Sequence, residues 1–414
     1  MPASPLTRAD AEALDGHDEL AFLRGEFALP DGIVYLDGNS LGALPRAAAA
    51  RVREVAEREW GERLVRSWNE AGWIDLPARV AARIAPLVGA APDEVAVADS
   101  TSVDLFKLLA GAVRLRPGRC VILSEQENFP TDLYVAQGLA ALAPSLELRL
   151  VPRAELASAL DDRTAVLMLT HVDFRTGEIQ DMAGWTRSAQ RAGALALFDL
   201  SHSAGALPIE LDAAEVDLAV GCGYKYLNGG PGAPAFAFVA RRHQPSFETP
   251  LMGWMGHAAP FAFDTRYRPA AGIARLACGT PPILSTAALE CGVATIEKGG
   301  VDRLRRKSAA LTDLFVRLVE QECAGFGLTL ASPREAERRG SQVSLRHPEG
   351  YAIVQALIAR GVIGDFRAPD LLRFGFAPAY LRFADAWDAA AALRAVMLER
   401  EWERPQHRER ARVT

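Results

Sequence analysis

Residues 216–232, Val-Asp-Leu-Ala-Val-Gly-Cys-Gly-Tyr-Lys-Tyr-Leu-Asn-Gly-Gly-Pro-Gly, decide how this chain of 414 residues is to be interpreted. An apolar run at 216–221 predicts a strand, and the strand leads through a glycine-rich turn to a second apolar run at 233–240. Lys225 stands in the turn. Lysine is almost never fully buried without a partner, so a lysine that follows a buried strand points to chemistry. Desolvation disfavours the ammonium form, and the neutral amine can form a Schiff base with a carbonyl. Taken alone, Lys225 is equally well an exposed lysine at a strand end.

Length, net charge and cysteine content limit the number of domains and the kinds of partner to be expected. A chain of 414 residues, half of them hydrophobic, exceeds the size at which one core stops growing and predicts two domains. The formal net charge of -6 gives no electrostatic reason to expect nucleic acid or an anionic membrane as a partner. Five widely spaced cysteines without a CxxC pair argue against a disulfide framework or a zinc site, and no metal is expected. The first twenty residues lack the apolar core of a signal peptide, and no apolar run could span a bilayer, which predicts a cytoplasmic protein.

Strand and helix patterns alternate through the first two thirds of the chain. Such alternation predicts a mostly parallel sheet covered by helices on both faces. Ligands of these sheets bind at the carboxyl ends of the strands. The side chains predicted at such ends are Thr101, Phe129, Thr170, Asp199 and Lys225.

Two of these strand ends suggest a cofactor. A carboxylate such as Asp199 is costly to bury unless it meets a cation, and a protonated pyridine nitrogen would supply one. Thr101 and Ser102 open a predicted helix, where free N–H groups and hydroxyls make a phosphate site. The alternatives are an ordinary N-cap at the helix, a capping role for Asp199 and a turn position for His202.

Aromatic residues are dense between 60 and 73. A helix predicted from Pro45 places Val52, Val55 and Trp60 at helical spacing, which assigns Trp60 to the core. Trp68 lies in a less regular stretch and is a candidate for stacking on a ligand ring.

A strand-end lysine, a strand-end carboxylate, a hydroxyl-bearing helix start and a strand-end aromatic ring together satisfy the needs of pyridoxal phosphate. Six motifs stand out along the chain: Tyr-Leu-Asp-Gly-Asn-Ser-Leu-Gly at 35–42, Asn-Phe-Pro-Thr-Asp at 128–132, His-Val-Asp-Phe-Arg-Thr-Gly at 171–177, Asp-Leu-Ser-His-Ser-Ala-Gly at 199–205, Gly-Tyr-Lys-Tyr-Leu-Asn-Gly-Gly-Pro-Gly at 223–232 and Gly-Thr-Pro-Pro at 279–282. Through these motifs the sequence resembles the fold-type I pyridoxal phosphate enzymes, and among them the kynureninase family, along nearly its whole length.

The resemblance implies an α/β architecture: a large cofactor domain at 46–284 with a mostly parallel, seven-stranded sheet, a small α+β domain at 285–414, and an N-terminal segment at 1–45 that packs with the small domain. It implies that Lys225 forms the Schiff base with the cofactor and that Asp199 pairs with the pyridine nitrogen. Tyr224 is implied to reach the phosphate and is our candidate general acid/base. The other implied cofactor contacts are Thr101 and Ser102 on the phosphate, Phe129 stacked on the ring, and Asp132, Thr170, His202, Trp254 and Thr280.

The family also implies a partner and a substrate. Trp254 and Thr280 belong to phosphate contacts that come partly from a second subunit, so a homodimer with shared active sites is expected. Arg373 matches the arginine that takes the substrate carboxylate, while Ser40 and Trp68 match positions near the substrate's aromatic ring. The expected reaction is hydrolysis of the Cβ–Cγ bond of L-kynurenine or 3-hydroxykynurenine to anthranilate or 3-hydroxyanthranilate and L-alanine, in tryptophan catabolism and NAD biosynthesis.

Other activities on the same fold remain open at this stage. A cysteine desulfurase or selenocysteine lyase needs a nucleophilic cysteine on a mobile loop, yet Cys323 falls in a predicted helix and Cys278 precedes the Gly-Thr turn. An aminotransferase would return the amino group to a keto acid. A non-catalytic, cofactor-binding regulator is disfavoured because Lys225 and Asp199 are both present.

Overall fold

The computed structural model describes residues 5–410. The strands in this range are β1 (Val34–Tyr35), β2 (Val95–Ala98), β3 (Val121–Glu125), β4 (Glu147–Val151), β5 (Thr164–Thr170), β6 (Leu195–Asp199), β7 (Leu218–Gly221), β8 (Ala235–Val239), β9 (Thr329–Leu330), β10 (Gln342–Arg346), β11 (Val362–Ile363), β12 (Asp365–Arg367) and β13 (Leu371–Gly375). The α-helices are α1 (Arg8–Gly16), α2 (Arg46–Glu54), α3 (Ser67–Glu70), α4 (Leu76–Ile84), α5 (Thr101–Leu115), α6 (Pro130–Leu142), α7 (Leu156–Ala159), α8 (Met182–Arg191), α9 (Ile283–Gly299), α10 (Val301–Glu322), α11 (Gly350–Ala359), α12 (Phe383–Leu398) and α13 (Pro405–Arg408). None of these helices is both long enough and apolar enough to cross a bilayer.

The large sheet has seven strands in the order β2-β8-β7-β6-β5-β3-β4. The pairs from β7 through to β4 are parallel, whereas β8 runs antiparallel to both of its neighbours. Every residue of β5, β6, β7 and β8 is buried, which explains why their sequences read as continuous apolar runs. The predicted α/β fold with a mostly parallel, seven-stranded sheet is confirmed.

The second sheet is small and antiparallel, in the order β12-β13-β10-β9. Its register places Arg373 on β13 between Asp365 on β12 and Ser344 on β10. Side chains opposite one another on one face of an antiparallel pair lie close together, so this register decides what Arg373 contacts.

The N-terminal segment joins the C-terminal part of the chain. Strand β1 pairs with β11, and the Asp15 carboxylate accepts the backbone N–H groups of Phe383 and Ala384 at the start of α12, at 2.6 and 3.0 Å. Arg24 adds an ion pair to Asp385 at 2.9 Å. These contacts support the predicted packing of segment 1–45 with the small domain. The domain boundaries at 45/46 and 284/285 stay predictions. Residues 1–4 of the N-terminal segment and residues 411–414 of the small domain lie outside the described range.

Trp60 is exposed over 60% of its surface, so its assignment to the core is wrong. Helix α2 ends at Glu54, and the chain continues as a π-helix over Val55–Arg63. A π-helix carries more residues per turn than an α-helix, and the inward position therefore shifts along the sequence. Glu59 faces inward instead, where its carboxylate accepts hydrogen bonds from Arg51 at 2.7 Å and from the Trp73 indole at 2.6 Å.

Leu318→Ala tests the core of the small domain. Leu318 on α10 is fully buried, so its truncation leaves a cavity and should lower the free energy of unfolding by about 2–5 kcal/mol. Leu142→Ala is the matched control, because Leu142 is 74% exposed and its truncation should cost less than about 0.5 kcal/mol. Urea denaturation followed by circular dichroism measures both. Equal losses would contradict the described packing.

Candidate active site

The carboxyl edge of the large sheet gathers the predicted residues. In the strand register, Thr170 on β5 lies beside Asp199 on β6, and Asp199 lies beside Val220 on β7, shortly before Lys225. The Lys225 Nζ lies 5.9 Å from the centre of the Phe129 ring and 5.9 Å from the centre of the Tyr224 ring. Lysine, carboxylate, hydroxyl and aromatic ring therefore share one edge, as the rule for parallel sheets predicts.

Asn128 joins two of these side chains. Its Oδ1 accepts the backbone N–H of Phe129 at 2.7 Å and also the hydroxyl of Thr170. Its amide nitrogen donates to the Ser124 hydroxyl at 3.0 Å. Asn128 is buried and fixes the start of α6, where Phe129 is the N-cap residue. Asn128 opens the motif at 128–132, but no role for it was predicted from the sequence.

The lysine turn is held by close backbone contacts. Gly42 donates its N–H to the Tyr224 carbonyl at 2.8 Å, and a Cβ on Gly42 would lie 2.4 Å from the Lys225 carbonyl oxygen. A side chain at position 42 would therefore displace the lysine. The motif at 35–42 thus packs directly against the motif at 223–232.

Two buried carboxylates lie near the lysine. Asp199 is 4% exposed and Asp132 is 2% exposed. Burial raises the pKa of Asp199, with Lys225 and a hydrogen bond from Ser201 opposing the increase. Burial raises the pKa of Asp132 well above its usual range, the neighbouring Asp199 raises it further, and Lys225 opposes. The Asp132 Oδ2 is buried and has no hydrogen-bond partner among the described residues.

These carboxylates provide a test of fit for pyridoxal phosphate. Two buried acids share one lysine, and an orphaned carboxylate oxygen buried beside them is costly. A protonated pyridine nitrogen would supply the second cation and a hydrogen-bond donor. The residues at this edge therefore fit the cofactor that the sequence resemblance implies.

Two histidines near the carboxylates are kept neutral by burial. The pKa of His202 lies well below its usual value because burial disfavours the charged ring and Lys225 and Arg373 repel it. Burial lowers the pKa of His171 to about 4, and its Nδ1 has no hydrogen-bond partner within residues 5–410. The two neutral rings therefore add no positive charge to this cluster. His171 follows Thr170 directly and opens the motif at 171–177, but no role for this histidine was predicted from the sequence.

The start of α5 matches the predicted phosphate site. Thr101 and Ser102 form its first turn, and the N-cap residue Ser100 makes no side-chain capping bond. Their hydroxyls have no hydrogen bond to any described residue, and the helix start leaves backbone N–H groups free for an anion. The role of Thr101 and Ser102 as phosphate contacts stays a prediction, at the start of a helix of fifteen residues.

A buried lysine that the sequence analysis missed supports this helix start. Lys107 is fully buried and pairs with Asp99, directly before α5, and with Asp104 at 3.1 Å. Its Nζ also donates to the Leu276 carbonyl at 2.7 Å. Lys107 thus neutralises Asp99 beside the phosphate site and ties the site to the segment that leads to Thr280. In the sequence, this role is signalled only by a charged residue, Lys107, within a largely apolar helix.

Trp254 and Thr280 lie apart from the lysine edge. The backbone N–H of Met255 donates to the Cys278 carbonyl at 3.3 Å, which places the two predicted contacts in adjoining segments. Both residues are exposed, Trp254 by 42%, and no hydrogen bond, ion pair or ring contact joins either of them to Lys225 or Asp199 within the described chain. Their side chains are presented outward.

Arg373 and Ser40 meet on the small sheet. The Arg373 guanidinium donates to the Ser40 hydroxyl at 3.0 Å, to the Phe174 carbonyl at 2.7 Å and to both oxygens of Asp365. The Phe174 ring in turn lies edge-on against the Phe129 ring, with centres 5.1 Å apart. Arg373 is thereby connected to the aromatic ring at the lysine edge. No role for Asp365 was predicted from the sequence. The signal that could have pointed to it is an acidic residue shortly before Arg373, where a hairpin would bring the two together.

Trp68 lies further away. Its ring packs edge-on against Trp73, with centres 5.8 Å apart. No hydrogen bond or ring contact among residues 5–410 joins Trp68 to Lys225, Arg373 or Ser40. Its proposed place near the substrate ring stays a prediction.

Solved structures of known proteins share this fold. A cysteine desulfurase from Thermococcus onnurineus NA1, in its apo form, superimposes with a TM-score of 0.77 at 18% identity, covering 92% of this chain and 98% of that one. A mutant of C-DES with glycine covalently linked to its pyridoxal phosphate superimposes with a TM-score of 0.78 at 19% identity, covering 89% and 98%. At such identity the likeness concerns the fold alone.

Sequence relatives are much closer. Residues 304–393 match the family described as the kynureninase C-terminal domain. A kynureninase from Burkholderia mallei is 57% identical over 99% of this chain and 100% of its own length, and a kynureninase from Pseudomonas fluorescens is 52% identical over the same shares. With more than half of the residues identical from end to end, the chain belongs to the kynureninase family, and its cofactor is pyridoxal phosphate.

Proposed function

We propose that this chain hydrolyses the Cβ–Cγ bond of L-kynurenine to give anthranilate and L-alanine, a step of tryptophan catabolism, with its active site at the carboxyl edge of the large sheet. The buried carboxylates Asp199 and Asp132 beside Lys225 carry the proposal, because this group lacks one cation that the cofactor provides. The full-length relatives named kynureninase supply the substrate.

Each residue at the edge has a part in holding the cofactor. Bound there, pyridoxal phosphate supplies an electron sink for the negative charge that develops on the substrate. Asp199 stabilises the protonated ring nitrogen by charge, and Phe129 covers a ring face. Thr101 and Ser102 hold the phosphate with hydroxyls and with the free N–H groups of α5.

Lys225 acts twice in this proposal. Its amine would hold the cofactor covalently until the substrate's amino group takes its place. The freed Nζ, near the Phe129 ring, takes the proton from the substrate's α-carbon. The buried carboxylates beside it stabilise the ammonium that results.

Tyr224 is the proposed proton donor to the substrate's γ-carbonyl. Burial raises the pKa of its phenol, and the neighbouring Cys222 and Asp199 raise it further, so the hydroxyl keeps its proton at neutral pH. A protonated phenol can donate to the carbonyl oxygen as water adds to the carbon. The phenolate that results can take a proton from the attacking water, which completes the hydrate and restores the phenol.

Arg373 is the proposed receptor for the substrate's carboxylate, with the Ser40 hydroxyl beside it, and Trp68 is proposed near the substrate's aromatic ring. A guanidinium matches a carboxylate in both charge and shape. Arg373 is 2% exposed and sits on a central strand of the small sheet, so its position is fixed by the fold.

A homodimer with shared sites is also proposed. The outward-facing Trp254 packs edge-on against Phe261, and Phe261 packs against Phe263, which is 79% exposed. An exposed cluster of three large aromatic side chains is typical of an interface. Facing a second copy, Trp254 and Thr280 would reach the partner's phosphate site.

The alternative of a cysteine desulfurase has less support. Such an enzyme needs a reactive thiolate. Burial raises the pKa of Cys323 to about 12, and burial also raises the pKa of Cys222. Neither thiol is ionised near neutral pH.

Lys225→Ala tests the reaction. Wild-type protein with pyridoxal phosphate and L-kynurenine should release fluorescent anthranilate together with L-alanine. Loss of the covalent lysine and its proton transfer should reduce turnover by about a thousandfold or more. Lys298→Ala is the matched control, because Lys298 is exposed and its ion pair within residues 5–410 is with Glu26. Anthranilate release by the Lys225 variant at the wild-type rate would refute the assignment.

Tyr224→Phe tests the proton donor. Turnover should fall by about a hundredfold or more, while the cofactor's visible absorbance persists, because the phenyl ring keeps its packing. Tyr134→Phe is the control, since Tyr134 is 62% exposed on α6. Unchanged turnover in the Tyr224 variant would remove this tyrosine from the mechanism.

Mixed subunits test the shared site. Lys225→Ala and Trp254→Ala proteins should each be weak alone, but mixing under exchange should restore activity, because one site of the hybrid then carries no substitution. A mixture of Lys225→Ala with Tyr224→Phe should show no recovery, since both residues come from the same subunit. Absence of recovery in the first mixture would show that Trp254 does not serve the partner's site.

A further inference from the structure

Arg373 enters the proposed function as a carboxylate receptor, yet its guanidinium already holds a carboxylate. Asp365 accepts the Nε–H at 2.7 Å with one oxygen and an Nη2–H with the other. The two side chains are each 2% exposed and face one another across the β12–β13 hairpin. An internal acid paired with the receptor either competes with the substrate or orients the receptor.

The hydrogen bonds separate these two roles. A guanidinium has five N–H donors. Asp365 takes two of them, the Phe174 carbonyl takes one on Nη1, and the Ser40 hydroxyl takes a second one on Nη2. Asp365 thus closes the Nε side, and one N–H of Nη1 is left to face a ligand.

Further contacts keep Asp365 in place. Its Oδ2 accepts the Ser40 hydroxyl at 3.0 Å and pairs with the Arg367 guanidinium at 2.8 Å. An acid held by two arginines, a hydroxyl and the sheet register is not free to leave when a ligand arrives. The arrangement is that of a fixed support.

The charges of the cluster still favour an anion. Arg367 and Arg373 carry two positive charges, and Asp365 carries one negative charge. Asp37 is the remaining acid; burial and the nearby Asp365 raise its pKa to about 7, so it is only partly ionised near neutrality. Its Oδ1 has no hydrogen-bond partner among the described residues. The cluster therefore retains positive charge for a substrate carboxylate.

Resting on the proposed function, we propose that Asp365 is a positioning residue that fixes the Arg373 guanidinium and so makes the enzyme select substrates with an α-carboxylate. Asp365 does not touch the substrate. Its removal should loosen carboxylate recognition while leaving recognition of the rest of the substrate unchanged.

The test compares L-kynurenine with kynuramine, its analogue without the carboxylate, on the holoenzyme. The quantities are the KM and kcat for L-kynurenine, the inhibition constant of kynuramine, and both dissociation constants by calorimetry. Asp365→Asn should raise the KM and dissociation constant of L-kynurenine by about 10- to 100-fold, as for the loss of a buried charged hydrogen bond. The values for kynuramine should change less than about twofold.

Asp370→Asn is the matched control. Asp370 lies in the same hairpin and bears the same charge, but its carboxylate pairs with Arg346, whose side chain is 49% exposed. This variant should leave both ligands unaffected. Equal weakening of L-kynurenine and kynuramine by Asp365→Asn would reveal a merely structural role and overturn the proposal. Tighter L-kynurenine binding would overturn it too, by showing that Asp365 competes with the substrate.

A second variant decides the matter if Asp365→Asn does not fold. Arg367→Lys keeps the positive charge of the cluster but replaces the guanidinium that pairs with Asp365, at a side chain that is 35% exposed, and should raise the KM for L-kynurenine about two- to fivefold with kynuramine unchanged. An unchanged ratio between the two ligands would reject the proposal. Failure of the wild-type protein to release anthranilate would instead refute the proposed function, and is therefore distinguished from failure of this inference.

Discussion

The burial of two carboxyl groups at one edge of the large sheet is the constraint on which the rest of the structure depends. Asp199 and Asp132 lie out of water beside a single lysine, at a cost that a lone carboxylate in an apolar site could not sustain. The carboxyl ends of the parallel strands lie at one edge of the sheet, so the polar side chains at these ends lie close together and can interact with one another and with a ligand. The fold thereby maintains a site whose charge is completed by the ring of the cofactor.

Phe174 connects this edge to the small sheet. Its carbonyl accepts hydrogen bonds from Arg373 and from Gln342, at 2.7 and 3.1 Å, while its ring packs on Phe129. One residue of a loop thus contacts the proposed carboxylate receptor with its backbone and the ring proposed to cover the cofactor with its side chain. In the proposed function, the same short loop would therefore set the positions of the substrate's charged end and of its reacting end.

Much of the fold and site could be predicted because the signals were local. Lys225, Asp199 and Thr170 each follow an apolar strand, and a parallel sheet brings such ends together whatever the details of packing. Trp60 could not be placed, since a π-helix changes the number of residues per turn without a signature in the apolar pattern. The pairing of Asp365 with Arg373 depends on the register of a hairpin, which residue types alone do not specify. The outward direction of Trp254 likewise depends on tertiary contacts.

Lys107 has a consequence that reaches beyond its own helix. Its ammonium holds Asp99, at the start of the phosphate-binding turn, and the Leu276 carbonyl, in the segment that leads to the outward-facing Thr280. A bound phosphate that orders the first end would also order the second, and a protein surface docked on the second would stabilise the first. In the proposed homodimer, cofactor binding and subunit association would therefore stabilise one another. Dilution would weaken cofactor retention, and cofactor removal would favour separation of the subunits.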